Sequence, residues 1–483
     1  MNTLNTAEIA PPPVNRDMRE LDRSFFNVKL QVSGLTVLNP RDIQKVKNKL
    51  AAAHDLLVTP TIKPVVDDEV HPGKKRVLLR PHVSATDPST WNQKWKDIID
   101  DGSTEIHPHE LTITYDNWSM SEILNAVLPE EPLSAQEDTP SGFAQVGHVA
   151  HLNLKEFFNE YKHLIGQVLL DKNPNIKTVI NKLHDVGSES VFRTFPYEVL
   201  AGPDDLEVTI SHLSCQFRFN YAEVYWNIRN SHEHERLIAQ FQKNEVVCDV
   251  MAGVGPFALP AAKKGAWVWA NDLNPASYKA MCNAIHVNKL SHHVYAFNMD
   301  GAQFIRSAAQ TLLRTQRRYE QVPATSIPRN ATEKQRQKLA AEMKAATVTR
   351  VEPPTFDHFV MNLPAIAVEF LHAFRGLYHG HERLFGGSEG RRLPMIHVYC
   401  FQARKDDESE EREELLQRIC GHLGHQLSPD EVVLERLRLV APKKLYYCAS
   451  FRLPGAVAFA APRDTGEVPL LELFETVGPT KAR

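Results

Sequence analysis

Apolar and polar residues alternate in three regimes along this chain. From about Phe25 to Tyr115, short alternating runs (VKLQVSGLTVL, KRVLLRPHV, HELTITYDN) predict strands, and RDIQKVKNKLAAA predicts one helix. SEILNAVLPEEPLSAQEDTPSGF then reads as a proline- and acid-containing joint. From about Ala144 to Asn220, GHVAHLNL leads into a helical pattern, LKEFFNEYKHLIGQVLLDKN, with strands at KTVINKL and LEVTISHLSCQFRFN. Beyond Tyr221, strand-like runs (EVVCDVMAG, AWVWANDL, VYAFNMD, FDHFVMNLP, MIHVYCFQ, LYYCASFRL) alternate with helical stretches. That alternation predicts a mostly parallel, doubly wound sheet.

The expected organisation is a flexible leader (1–24, with Pro11, Pro12 and Pro13 together), an N-terminal α/β module (25–120), a middle α/β domain (140–220) and a Rossmann-like α/β domain (221–483). Its length of 483 residues exceeds one ordinary core. Two inserts interrupt the third domain. Gln310 to Arg350 holds nine Lys/Arg against three acids, which suits either a solvated insertion or a positive arm touching RNA phosphates. DDESEEREE (Asp406 to Glu414) reads as the exposed start of a helix.

Composition changes this picture little. With 42% hydrophobic and 24% charged residues and no apolar run near the ~20 residues of a membrane span, a soluble globular protein is expected. A net charge of -4 does not announce a nucleic-acid partner, although a local basic surface hides easily in such a sum. The six cysteines form no C-x-x-C pair and the histidines no H-E-x-x-H motif, so no metal is expected. The N-terminus lacks a secretory apolar core and carries Glu8, Asp17, Glu20 and Asp22. Cytoplasm is the expected location, with nucleus and mitochondrial matrix as further compartments, and a monomer is expected.

EVVCDVMAGVGPFALPAAKKGAWVWANDLNP is the most informative stretch. A strand ends at Asp249, and a small-residue loop (Ala252, Gly253, Val254, Gly255) lets backbone approach a ligand at the strand's carboxyl end. A second strand ends at Asp272, about 20 residues on, where an acid grips ribose hydroxyls. Ala258 stands at the third-glycine position, a permitted variant, so this loop alone leaves a nicotinamide dinucleotide open. Asp300-Gly301 ends a third strand, where a carboxylate suits an adenine amino group, and Asn362-Leu363-Pro364 ends a fourth. Polar groups at successive strand ends converge on one crevice in doubly wound sheets.

D-x-x-A-G-x-G-x-F, N-D-L-N-P, D-G and M-N-L-P resemble class I methyltransferases. EVYWNIRNSHEHERL, FRTFPYEVLAG and GHVAHLNL narrow the resemblance, over roughly Gly147 to Leu453, to the archaeal and eukaryotic tRNA (guanine-37) N1-methyltransferases. That resemblance implies S-adenosylmethionine as cofactor, with His234, Asp249, Gly253, Gly255, Asp272, Leu273, Asp300, Gly301 and Asn362 around it. It implies tRNA as partner, bound through the anticodon stem-loop and overall shape; the presence of domains beyond the catalytic one makes Lys74, Lys75 and Arg76 candidate phosphate contacts. Guanine N1 carries a proton and has no lone pair free to attack, so methylation needs a base and a donor to O6. The resemblance carries the base role onto Glu233 and the O6-donor role onto Arg193, with Asn362 and Tyr225 in the same pocket. A rival reading is transfer of the aminocarboxypropyl group of the same cofactor. Another is a tRNA-binding protein without activity.

Overall fold

The computed structural model describes residues 4–68, 70–129, 142–183, 192, 194–315, 317–321, 332–345, 348–386, 390–462 and 468–472. The chain divides into two compact units, residues 1–184 with 196–205, and residues 185–195 with 206–483.

In the first unit, β1 (Val28–Val37), β2 (Val65–Asp67), β3 (Lys75–Leu78) and β4 (Thr104–Ile113) make an antiparallel sheet of order β2-β3-β1-β4. A second sheet runs β5 (Ala144–Val146), β6 (Val149–Leu152), β7 (Thr178–Lys182) and β8 (Tyr197–Ala201) in sequence order. β6 and β7 are parallel, so their connection must cross the sheet, and the helix Lys162–Lys172 makes that crossing. It buries Leu164, Ile165, Val168 and Leu169, and Gly166 lets Leu200 pack where a Cβ would meet its side chain at 2.6 Å.

Three features differ from expectation. The stretch read as a leader forms the short helix Thr6–Ile9, and Ala10 and Met18 join the core around Trp118 and Leu124. The N-terminal module and residues 144–201 share that core, because each sheet leaves an apolar face for the other to cover. Arg76 is only 3% exposed and pairs with Asp68 at 2.9 Å, beside Gly34, whose missing Cβ makes room for its stem. Arg76 therefore has no free guanidinium for a phosphate, and Lys75 is paired with Asp67.

The second unit opens with the hairpin β9 (Glu207–His212) and β10 (Cys215–Asn220), which the sequence reading had placed in the middle domain. Its main sheet takes β11 (Val246–Asp249), β12 (Trp267–Asn271) and β13 (Val294–Phe297), while β14 (Arg318–Gln321) and β15 (Val348–Val351) form a separate hairpin. β16 (His358–Met361), β17 (Met395–Ala403), β18 (Val432–Ala441) and β19 (Lys444–Arg452) complete the main sheet. The order is β13-β12-β11-β16-β17-β19-β18, parallel from β13 to β17, with β19 antiparallel to both neighbours. Helices cover both faces, so every residue of β11, β12 and β16 is buried.

The basic insert begins later than the sequence suggests, because Gln310 to Arg314 finish the helix Gly301–Arg314. Its base is clamped where Arg317 pairs with the fully buried Glu352, which also accepts a 2.8 Å hydrogen bond from Trp269 Nε1. The acidic run starts the helix Glu408–Leu423, capped by Asp407, but Glu411 within it is buried against the Tyr447 hydroxyl at 3.0 Å. Among the described residues, no helix is long and apolar enough to cross a membrane.

Candidate active site

Strand order reverses at β11, since β12 lies on one side of it and β16 on the other. The connections after β11 and β16 therefore leave in opposite directions and open a crevice at the carboxyl ends of the strands. Tyr225, His234, Gly253, Asp272, Leu273, Asp300, Gly301 and Asn362 all line it. Glu233, Asp249 and Gly255 do not form its wall, and Arg193 lies outside the described residues.

The loop after β11 needs its glycines for two different reasons. Gly253 has φ +57, and a Cβ there would meet nothing within 4 Å, so the backbone itself faces the crevice. Gly255 has φ +95, and its missing Cβ makes room for Leu259. Asp272 fixes this loop by accepting from the Gly253 N–H at 2.8 Å and the Asn274 N–H at 2.9 Å. Burial raises its carboxyl pKa, opposed by those two N–H groups. Asp300 caps the helix Gly301–Arg314 through the N–H groups of Ala302 (2.9 Å) and Gln303 (3.1 Å). A Cβ at Gly301 would press on Phe370 at 3.1 Å, so glycine keeps that floor open.

Asp249 is completely buried behind the loop, with neither carboxylate oxygen hydrogen-bonded to another described residue. Burial and the neighbouring charge of Asp272 push its carboxyl pKa well up. His234 is buried with Nδ1 3.0 Å from His212 Nε2 and its ring 4.6 Å from that of Phe257. Burial, then the nearby His212, pushes its pKa down to about 3, so the ring is neutral near pH 7.

Glu233 sits in the first turn of the helix Ser231–Gln240, one residue before His234 and 7% exposed. Both carboxylate oxygens engage Arg236, at 2.6 and 2.7 Å, and one also accepts from the Tyr399 hydroxyl at 2.6 Å. Asn362 Oδ1 accepts from the Tyr446 hydroxyl at 2.9 Å, which leaves its amide N–H groups as the donors.

Sequence reasoning missed several participants. Asn271 ties two strand ends together by donating to the Val250 and Met299 carbonyls and accepting from the Met299 N–H, all within 3.0 Å. Its position beside Asp272 was the available signal. Phe192, next in sequence to Arg193, lines the crevice, as do Asn230 and Asn274. Arg236 lies one helical turn from Glu233, a spacing visible in the sequence, whereas Tyr399 and Tyr446 gave no local signal, because their roles come from pairing across the fold.

A glycine loop, a strand-end acid and a capped third strand around this switch point define a class I methyltransferase. The chain is 46% identical over 475 residues, 94% of its length and 96% of the relative's, to a tRNA (guanine(37)-N(1))-methyltransferase of Aspergillus fumigatus, and 44% identical over 466 residues, with the same coverages, to that of Emericella nidulans. It belongs to the tRNA (guanine(37)-N(1))-methyltransferase family. The profile of the TRM5/TYW2 methyltransferase domain matches residues 209–315, and that of the TYW2 N-terminal domain matches 120–205. The crystal structure of wild-type Trm5b from Pyrococcus abyssi shares the fold, with a TM-score of 0.51 at 20% identity, over 87% of this chain and 99% of that one.

Proposed function

We propose that this enzyme methylates N1 of guanine 37 in tRNA, with Glu233 as general base and Arg193 as donor to O6. The observation that carries the reading is a carboxylate, Glu233, one residue from the crevice-lining His234 in a family that acts at guanine N1.

S-adenosylmethionine, when bound, supplies a methyl group carried on a positively charged sulfur. The residues present suit it: the open backbone at Gly253, the carboxylate of Asp272, the half-exposed Leu273 and the Asp300-Gly301 turn would hold it. The remaining acceptor sites of Asp272 suit ribose hydroxyls, and the apolar Leu273 suits a flat base.

Removing the N1 proton spreads negative charge onto O6, so an acceptor and a fixed cation are both needed. Glu233 lies between Arg236 and the Tyr399 hydroxyl, both of which donate to its oxygens. Its three hydrogen bonds leave about one of a carboxylate's four acceptor positions for the proton. A guanidinium stays charged and offers directed N–H donors, which suits the role proposed for Arg193. The amide of Asn362, oriented by Tyr446, donates to the edge of the base. Phe192 and Tyr225 supply flat apolar walls for a guanine drawn out of its stack.

Mass spectrometry of an unmodified tRNA after reaction tests this. The expected product gains one methyl group when guanine is at position 37 and none when another base replaces it. A gain of the aminocarboxypropyl group would overturn the reading.

A further inference from the structure

A second depression in the catalytic unit lies beyond the crevice, on the end of β17 and the tight turn joining β18 to β19. Phe401, Gln402, Ala403, Ala441, Pro442, Lys443 and Lys444 line it. We infer that this groove holds the RNA strand flanking the target base, with Arg404, Lys443 and Lys444 on its phosphates and Phe401 beneath its sugars or bases. The inference rests on the proposed tRNA substrate and extends it to a contact surface.

Three observations support it. The cations lack carboxylate partners: Arg404, Lys443 and Lys444 are exposed, and none forms an ion pair with a described carboxylate. Their neighbours differ, since Lys405 is paired with Glu414 at 2.9 Å and Arg436 lies 3.6 Å from Glu408. Three cations side by side without described carboxylate partners, next to an acidic helix that has taken up the adjacent ones, mark a surface kept positive.

The second observation is the aromatic floor. Lys444 Nζ lies 4.2 Å from the centre of the Phe401 ring, which packs at 5.9 Å against Tyr446, and Arg438 lies 5.6 Å from Tyr446. Tyr446 is buried and backs the partly exposed Phe401, and a ring set among cations is a sequence-tolerant contact for single-stranded nucleic acid, because every base has a π-face and every nucleotide a phosphate.

Third, the groove and the residues beside it are hydrogen-bonded to the crevice region. Tyr446 reaches Asn362, Arg438 donates to Asn230 at 3.1 Å, and the Phe401 N–H donates to the Pro364 carbonyl at 3.0 Å. Asn362 and Asn230 both line the crevice. The inference puts the phosphates next to the entering base on this groove.

The test uses the full-length protein with Arg404→Gln, Lys443→Gln and Lys444→Gln combined, and a tRNA transcript carrying guanine 37. The dissociation constant for tRNA is expected to rise about tenfold at moderate salt, and the slope of log affinity against log salt to fall by about 2 to 3. Affinity for S-adenosylmethionine, measured by calorimetry, reports that the crevice is intact. Phe401→Ala is expected to weaken tRNA binding without altering the salt slope. Wild-type affinity and slope in the triple variant, with cofactor binding intact, overturn the inference. Failure of the wild-type protein to methylate guanine 37 overturns the functional reading instead, whatever the groove does.

Discussion

At the scale of single residues, the central fact is that Glu233 has two partners on different elements. Arg236 is one helical turn away, whereas Tyr399 arrives from β17. Glu233→Gln keeps the size of the side chain and removes its ability to take a proton. The turnover number is expected to fall by about 10²- to 10⁴-fold, with S-adenosylmethionine affinity within about twofold of wild type. Equal loss of both, by stopped-flow transfer and calorimetry, would identify Glu233 as a structural member of its ion pair. His234 makes a separate prediction. Its pKa is about 3 in the folded chain against an ordinary 6.5, so its contribution is complete above pH 6.5. Below that, the unfolded chain takes up a proton that the folded chain refuses, and stability is lost as pH falls towards 3. The wild-type advantage over His234→Gln in urea unfolding should shrink by about 2 kcal/mol between pH 6.5 and 5. Comparing the two proteins cancels Asp249, whose raised carboxyl pKa acts with the opposite sign.

At the scale of elements, the insert hairpin β14–β15 leaves the domain through one buried junction. Glu352 is 0% exposed, pairs with Arg317 and accepts from Trp269, while Arg317 lies 3.9 Å from the centre of the Tyr295 ring. Glu352→Ala strands a largely buried guanidinium and is expected to cost about 3 to 5 kcal/mol in denaturant unfolding, far more than an exposed pair. The sequence showed the insert as a change in charge density but not this junction, since Trp269 and Glu352 lie 83 positions apart. Helices and strands with one repeating apolar pattern were legible, as at Lys162–Lys172 and β11. The assignment of β9 and β10 to the catalytic unit was not, because a hairpin's alternation does not say which core it closes.

At the scale of the whole molecule, a chain with net charge -4 is proposed to grip a polyanion. Local fields decide this, not the sum. If at least three phosphates are neutralised, tRNA affinity should fall by about 10- to 100-fold between 50 and 200 mM salt. Filter binding across that range checks it, and a flat response would deny a phosphate-gripping surface.

The sequence by itself determined the doubly wound domain and the strand-end residues Asp272, Asp300 and Asn362. Each is specified locally, by an apolar run that stops at a polar residue within two positions of a glycine, an asparagine or a proline. The resemblance of its motifs added the family and the roles carried onto Glu233 and Arg193. Only the tertiary structure decided what those residues touch. It put Tyr399 on Glu233, 166 positions away, and Tyr446 on Asn362, 84 away. It also hid Asp249 and Arg76 from solvent, and left Arg404, Lys443 and Lys444 exposed without carboxylate partners among the described residues. Burial and pairing are properties of the whole packed chain, and no run of neighbouring residues carries them.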